Sequence, residues 1–587
     1  MVVGGEKMID ECLSVFQENL REEGESLILE DYIPADGTYI IVGTDGEVKV
    51  CRDIKFDKKS GELDRFFRGF QDICYYDYYS KLITMNKPQD SAKIIHSNNY
   101  FSFWIKKESL SNGKLTKEVI EKYYEVLEMP EKKYQKGKTK ELYQTVKEQL
   151  GEVDKETLQK NKEWILEHIF NIQEVAKVDL EKKDYLKIFF EADYNEYERE
   201  GRRYFIPNIY NSNDYNVRVN DDMLGLPDNN LGMNSKKPFL AMKTRKIASP
   251  YLLNMDQVML QKKFYDYLIN FASAGKYNVY VDLEHTKFQG CRNNEFPEGS
   301  ICGFFLRLAK GKNEAEIHYQ DIVPHYDVQL SKEFFYENVM EIYNEKFPDY
   351  EEQYRVYSRM PEVEALIDDI FFSKALGNNY FTEVEKLKGI DPKLKQQLLT
   401  YRRPIFTWTH LGNQAGIASI LDELALSAIK TSIINEYFGK AVRQINLKLS
   451  LQKYFYEGGE YMADFSVELR ENLKEKMICE DSPKIESDRE YYYGVGQLFR
   501  YYIFLNKSAK KNESLINPIL NARNNEVLKK KLLEYYKKYN YAILLSKRAD
   551  VLLKMLLGYE PEGKIMQDMI CMGFVDNNLV LEKKEEK

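Results

Sequence analysis

The apolar residues of this chain change spacing near residue 345, from short strand-like runs over residues 180–345 to a helical period beyond. That change restricts the fold to an α+β class with sheet and helix in separate regions. Residues 180–345 hold short aromatic or β-branched runs between Gly, Asn and Pro turns: LKIFFEAD, RRYFIPNIY, YNVYVDLEH, ICGFFLRLAK and AEIHYQDIV. From about 350 onward apolar residues recur every three or four positions, as in ASILDELALSAIKTSIINEYF (418–438). The first hundred residues are mixed. DGTYIIVGTDGEVKVCRDIKF (36–56) predicts a hairpin around Thr-Asp-Gly, and KIIHSNNYFSFWIKK (93–107) predicts two strands broken at Ser97-Asn98-Asn99. Residues 115–171 predict helices joined by the polar PEKKYQKGKTK, and 220–238 predict a long polar loop.

A chain of 587 residues exceeds the roughly 250–300 residues that one core can serve, so several domains are expected. The patterns divide it into an N-terminal α+β domain (1–114), a helical connector (115–179), a β-rich central domain with a basic patch (180–345), a helical region (346–450) and a C-terminal helical bundle (451–587). The seven Cys form no CxxC pair, which argues against a cysteine zinc site and a disulfide framework and fits a reduced, cytoplasmic setting. The N-terminus is acidic and lacks the apolar segment of a signal peptide. No run approaches the ~18 apolar residues of a membrane helix, so no membrane partner is expected.

Catalytic motifs are sparse. There is no GxxxxGK[ST], GxSxG or HExxH, and Gly494-Val-Gly496 lacks the third glycine and the preceding strand of a dinucleotide site. GNQAG (412–416) reads as a turn between helices. The one enzyme-like cluster is Asp282, Glu284, His285, His318, Asp321, His325 and Asp327, with Asp282 and Glu284 expected on one face of a strand. Its spacing matches no metal motif, so no metal or cofactor is expected; a metal-dependent nuclease is the alternative reading.

Charge points elsewhere. The chain carries −9 overall, yet residues 491–550 hold twelve Lys or Arg against four Asp or Glu, a local excess of eight. A second patch, KKPFLAMKTRKIASPYLL (236–253), has five basic residues and no acidic one. Lys236, Lys237, Lys243, Arg245 and Lys246 could neutralise a phosphate backbone; salt bridges to distant carboxylates are the other reading. In HSNNYFSFWIKK (96–107), Asn98 and Asn99 could read base edges but suit a tight turn better, with Lys106 and Lys107 close behind. In the C-terminal region Gln497 and Arg500 lie one helical turn apart, and Asn521 and Arg523 fall in a turn between helices. In EVLKKKLLEYYKKYN (526–540), Leu528, Leu532, Tyr535 and Tyr539 share one face, with Lys530, Lys531, Lys537 and Lys538 opposite. A lysine face of this kind could track a nucleic acid strand.

IHSNNYFSFWIKKESL, KKPFLAMKTRKIASPYLL, YYYGVGQLFRYYIFLNKS and LGYEPEGKIMQDM, in that order, resemble the Csh-type large subunit of the type I-B CRISPR effector complex Cascade, the Cas-eight-b family. The resemblance implies a non-catalytic subunit that works with guide RNA and target DNA. It would sit beside the backbone subunits and the subunit holding the RNA 5′ end, sense the target-flanking motif, stabilise the R-loop and recruit a helicase-nuclease. In such systems base pairing reads sequence and protein reads the flanking motif. The C-terminal bundle would then resemble the small subunit, which internal translation could also supply separately; Met462 and Met477 are candidate starts. The middle Cys cluster of some relatives is missing here.

Overall fold

The computed structural model describes residues 3–57, 62–135, 137–211, 216–220, 222–228, 230–231, 252–311, 314–340, 352–456, 462–479, 483–506, 516–543 and 546–582. The chain parts into two compact units. The first takes residues 1–292 and 303–322, and the second takes 293–302 and 323–587.

The first unit is built on a four-stranded sheet of β1 (Gly37–Val42), β2 (Val48–Ile54), β3 (Ser102–Lys106) and β4 (Tyr185–Phe190), in the order β2-β1-β4-β3. β1 runs antiparallel to β2 and parallel to β4, and every residue of β1 is buried, as suits a central strand covered on both faces. The predicted 36–56 hairpin is therefore present. The helices of this unit are α1 (Val3–Glu23), α2 (Ser26–Leu29), α3 (Phe70–Tyr79), α4 (Lys107–Ser111), α5 (Lys117–Glu128), α6 (Gly137–Leu150), α7 (Lys155–His168), α8 (Ile172–Ala176), α9 (Tyr194–Phe205) and α10 (Met255–Ser273). Between α9 and α10 lies a small hairpin, β5 (Val217–Val219) with β6 (Asp222–Leu224). A second four-stranded sheet, β7 (Asn278–Asp282), β8 (Lys287–Cys291), β9 (Ser300–Lys310) and β10 (Ala315–Asp327), has the order β10-β9-β7-β8. Residues 300–302 of β9 and 323–327 of β10 are grouped with the second unit.

One buried ion pair ties the first sheet to a helix. Lys187 of β4 meets Asp77 of α3, which also accepts a hydrogen bond from Tyr32. The Lys187 ammonium lies 3.9 Å from the Trp104 ring centre and 5.0 Å from that of Tyr39. Burial pulls the Lys187 amine below its ordinary range, and the Asp77 charge works against that pull.

Several sequence expectations need correction here. RRYFIPNIY is not a strand: residues 202–205 close α9, and a short 3-10 turn follows. The reason is that Tyr197, Glu200, Gly201 and Tyr204 form a helical stripe beginning upstream of that window, and all four are buried. The first half of 93–107 makes only isolated bridges, Ile95 to Ile105 and Lys81 to Ser97, while residues 102–106 form β3. The region read as β-rich contains α10, opened by a capping box between Asn254 and Gln257. The five sequence segments do not coincide with the two units, because β4, from residues 185–190, completes the N-terminal sheet.

Among its described residues the second unit is helical apart from the ends of β9 and β10 and the antiparallel pair of β11 (Gln329–Phe335) and β12 (Val356–Arg359). Its helices are α11 (Met360–Phe372), α12 (Pro392–Thr409), α13 (Ile417–Ile434), α14 (Phe438–Phe455), α15 (Met462–Ile478), α16 (Asp488–Phe504), α17 (Asn517–Leu520), α18 (Asn525–Ile543), α19 (Lys547–Gly558) and α20 (Gln567–Val575). GNQAG is the turn between α12 and α13, with Gly412 and Gly416 both at φ 73°. Met477 is a core residue, and α15 begins at Met462.

α16 is the centre of this unit and is buried almost throughout. Gly496 faces the backbone of α20, where an added Cβ would collide with the Ile570 carbonyl. Gly573 of α20 faces back onto the Tyr493 carbonyl in the same way. The Gly-Val-Gly sequence thus serves a close helix crossing. Gly494 differs, because its nearest neighbours are the side chains of Leu556 and Leu552 at 3.2 and 3.4 Å. Gly496→Ala is expected to destabilise the second unit by about 1–3 kcal/mol. Gly494→Ala should shift it by less than about 1 kcal/mol, since the gain in helix propensity offsets the tighter packing. Thermal unfolding of the two variants checks this; equal midpoints would contradict the crossing argument.

Candidate nucleic-acid interface

α18 is held to α16 by apolar packing along one side. Leu528, Leu532 and Tyr539 are buried, and the Tyr535 ring meets Phe499 of α16 edge-on at 4.7 Å between centres. Asn524 caps the start of α18 by accepting the Val527 N–H at 2.9 Å. The far side of the helix then faces solvent.

The lysines on α18 fall into two groups. Lys529 is turned inward, donating to the Tyr559 carbonyl and to Glu560, each at 2.5 Å. Lys531 pairs with Glu534 at 2.8 Å. Lys530, Lys537 and Lys538 are exposed, and none pairs with a carboxylate among the described residues. Lys530 and Lys537 stand two turns apart, about 10 Å along the axis. The Lys538 ammonium lies 5.2 Å from the Tyr539 ring centre, which steadies the side chain while leaving its charge available. Arg523, exposed in the turn before α18, extends the same basic run, and Asn521 closes α17.

Gln497 and Arg500 do different work. Gln497 is fully buried: its amide donates to the Gly573 carbonyl at 2.7 Å and its oxygen accepts from Leu579 N–H at 2.8 Å. It ties α16 to the chain end and presents nothing to solvent. Arg500 is half-buried, its guanidinium 4.1 Å from the Phe438 ring centre and 5.1 Å from that of Phe574.

In the first unit Asn98 and Asn99 are buried in the turn. Asn98 accepts from Gln89 at 2.7 Å, and Asn99 donates to the Tyr197 carbonyl at 2.9 Å while accepting the Phe101 N–H at 3.0 Å. With those bonds made, neither amide presents an edge to a base. Gln89 also accepts from Lys133 at 3.0 Å, and burial pushes the Lys133 amine down to about 8. Lys107 is buried against Asp184 at 2.7 Å. Lys106 is exposed, with Glu108 at 3.8 Å. Lys236, Lys237, Lys243, Arg245 and Lys246 lie outside the described residues.

The carboxylate cluster is arranged differently from its sequence expectation. β7 ends at Asp282, so Glu284 is in the following turn and not on the same strand face. Asp282 accepts the Glu284 N–H at 3.1 Å and bonds His285 Nδ1 at 2.7 Å, which makes it a turn-forming residue. His318 pairs with Glu316 at 3.0 Å, and Tyr319 donates to Asp321. His325 and Asp327 are grouped with the second unit. Among the described residues no three His, Cys, Asp or Glu side chains gather as a metal-ligand set.

Sequence reading passed over residues 62–70, where Phe66 is wholly exposed beside Arg68. The signal available was a pair of phenylalanines between two arginines, RFFR. Comparison of the chain with family models, curated proteins and solved structures found no match.

Changing Lys530, Lys537 and Lys538 together to Ala is expected to weaken single-stranded nucleic acid binding. It should also lower the slope of log affinity against log salt by about 2, at roughly 0.7 for each phosphate no longer neutralised. Thermal unfolding should not change, because the three side chains are exposed. A salt titration with fluorescent oligonucleotides reads the slope, and an unchanged slope would remove this face from the interface.

Proposed function

We propose that this chain is the non-catalytic large subunit of a type I-B CRISPR Cascade complex. It binds target DNA within a guide-RNA assembly, senses the flanking motif, stabilises the R-loop and presents the target to a separate helicase-nuclease. The observation that carries this reading is the lysine face of α18: three exposed cations without carboxylate partners among the described residues, on a helix whose opposite side is fixed in the core. An acidic chain that leaves these cations available has a local anion site against a repulsive background, which favours a held strand over indiscriminate DNA contact. The order of the four family-like phrases and the α+β-then-helical architecture support the same reading. The chain would work beside backbone, RNA 5′-end and small subunits. Among the described residues no helix is long and apolar enough to cross a membrane.

The test is to tag the chain in its native host, purify it gently and sequence the RNA that accompanies it. Short RNAs of uniform length with repeat-derived ends, together with several stoichiometric proteins, are expected. Recovery of the chain without RNA and without partners would overturn the proposal.

A further inference from the structure

Phe66 has its whole side chain in solvent. A ring of this size ordinarily gains substantially from burial, so its position calls for a reason. The surrounding backbone is not slack. Leu63, Arg65 and Phe67 are half-buried while Asp64, Phe66 and Arg68 are exposed, the alternation of an extended segment laid along a surface. Arg65 donates to the Glu30 and Asp31 carbonyls at 2.6 and 3.3 Å. Phe67 meets Phe70 edge-on at 5.5 Å, and the Arg52 guanidinium lies 5.9 Å from the Phe67 ring centre. The Phe66 N–H is held by Asp64 at 3.1 Å. Gly69, at φ 92°, then turns the chain into α3. The segment is anchored on both sides of Phe66 and holds its ring outward.

Arg68 follows this ring by two residues, and Arg52 of β2 reaches the ring of the neighbouring Phe67. Arg52, Lys55 and Arg68 are exposed, and none pairs with a carboxylate among the described residues. Of the carboxylates close by in sequence, Asp53 pairs with Lys182 at 2.6 Å, Asp64 accepts the Phe66 N–H, and Asp57 and Glu62 have partners of their own. Among the described residues of 48–70, Phe66 is the only exposed large apolar side chain. A protein anchor residue normally sits in the middle of a packed apolar patch. A nucleobase needs only one flat face, with cations nearby for the phosphates.

We propose that Phe66 is a stacking post for an unpaired nucleobase, with Arg52, Lys55 and Arg68 facing the adjoining phosphates. The proposal rests on the reading of this chain as a nucleic-acid-binding protein, and it names a site in the first unit that is separate from the α18 lysines.

The experiment uses the full chain and single-stranded DNA and RNA oligonucleotides carrying 2-aminopurine at successive positions. The wild type should quench the fluorescent base at one or two positions. Phe66→Ala should abolish that quenching and weaken binding about fivefold to a hundredfold, with the salt slope kept. Phe66→Trp should retain the quenching. Changing Arg52, Lys55 and Arg68 to Ala should flatten the salt slope and leave the quenching pattern in place. Phe66→Ala folds like the wild type, since the ring packs on nothing, and its thermal midpoint confirms that. Quenching and affinity in Phe66→Ala equal to wild type would overturn the proposal. If Phe66→Ala matched the wild type while the α18 lysine variant lost affinity in the same series, this proposal would fall and the proposed function would stand. Loss of a co-purifying protein from Phe66→Ala, with base quenching intact, would make the ring a protein anchor and also overturn the proposal. Absence of any oligonucleotide binding by the wild type would overturn both readings.

Discussion

The second unit depends on the place where two helices meet without side chains between them. Gly496 of α16 and Gly573 of α20 each lie against the other helix's backbone, close enough that a single methyl group would not fit. α16 is buried almost entirely, and its Phe499 receives Tyr535 of α18. Gln497, between the crossing and that contact, fastens the chain end at Leu579. The basic helix is therefore displayed by a chain of fixed contacts, glycine to backbone and aromatic to aromatic. A cationic face is useful to a polyanion only when its lysines are held in register, because ordering a loose helix would offset much of the binding free energy.

Counting charges along the sequence overstates what either unit offers to an anion. Lys187 is enclosed with Asp77, Lys107 with Asp184, and Arg203 with Glu200. In the second unit Lys448 is buried between Asp422 and Asp568, and Lys476 is held by Glu490. These cations hold the fold together and would be costly to withdraw from their partners. Lys530, Lys537 and Lys538 in one unit and Arg52, Lys55 and Arg68 in the other are among the exposed cations that such pairing leaves over. Local net charge pointed to the C-terminal segment, and side-chain pairing separates these three lysines from their neighbours Lys529 and Lys531.

The parts of the fold that sequence reading recovered are those set by local rules. The 37–54 hairpin follows from alternation and a Thr-Asp-Gly turn, and α18 follows from a stripe of Leu and Tyr opposite lysines. The parts it missed depend on distant contacts. Nothing near Lys529 in sequence shows that Glu560 will take it, because the partner comes from beyond the next helix. The sequence around Asn98 and Asn99 favours a tight turn over a base reader, but not the burial that Gln89 and the Tyr197 carbonyl bring to them. Residues 202–205 have β-like composition, and only the longer stripe from Tyr197 to Tyr204 reveals the helix. The use of Gly-Val-Gly in a helix crossing could not be read from the sequence, because it required α20 to be in place.

Under the proposed function, nucleic acid lies along the outer face of α18. Ultraviolet crosslinking of the full chain to bound single-stranded oligonucleotide, followed by mass spectrometry of the attached peptides, tests that most directly. Adducts are expected on peptides spanning residues 523–540, the segment that carries the exposed lysines. Efficient crosslinking that maps wholly elsewhere, with this segment unmodified, would contradict it.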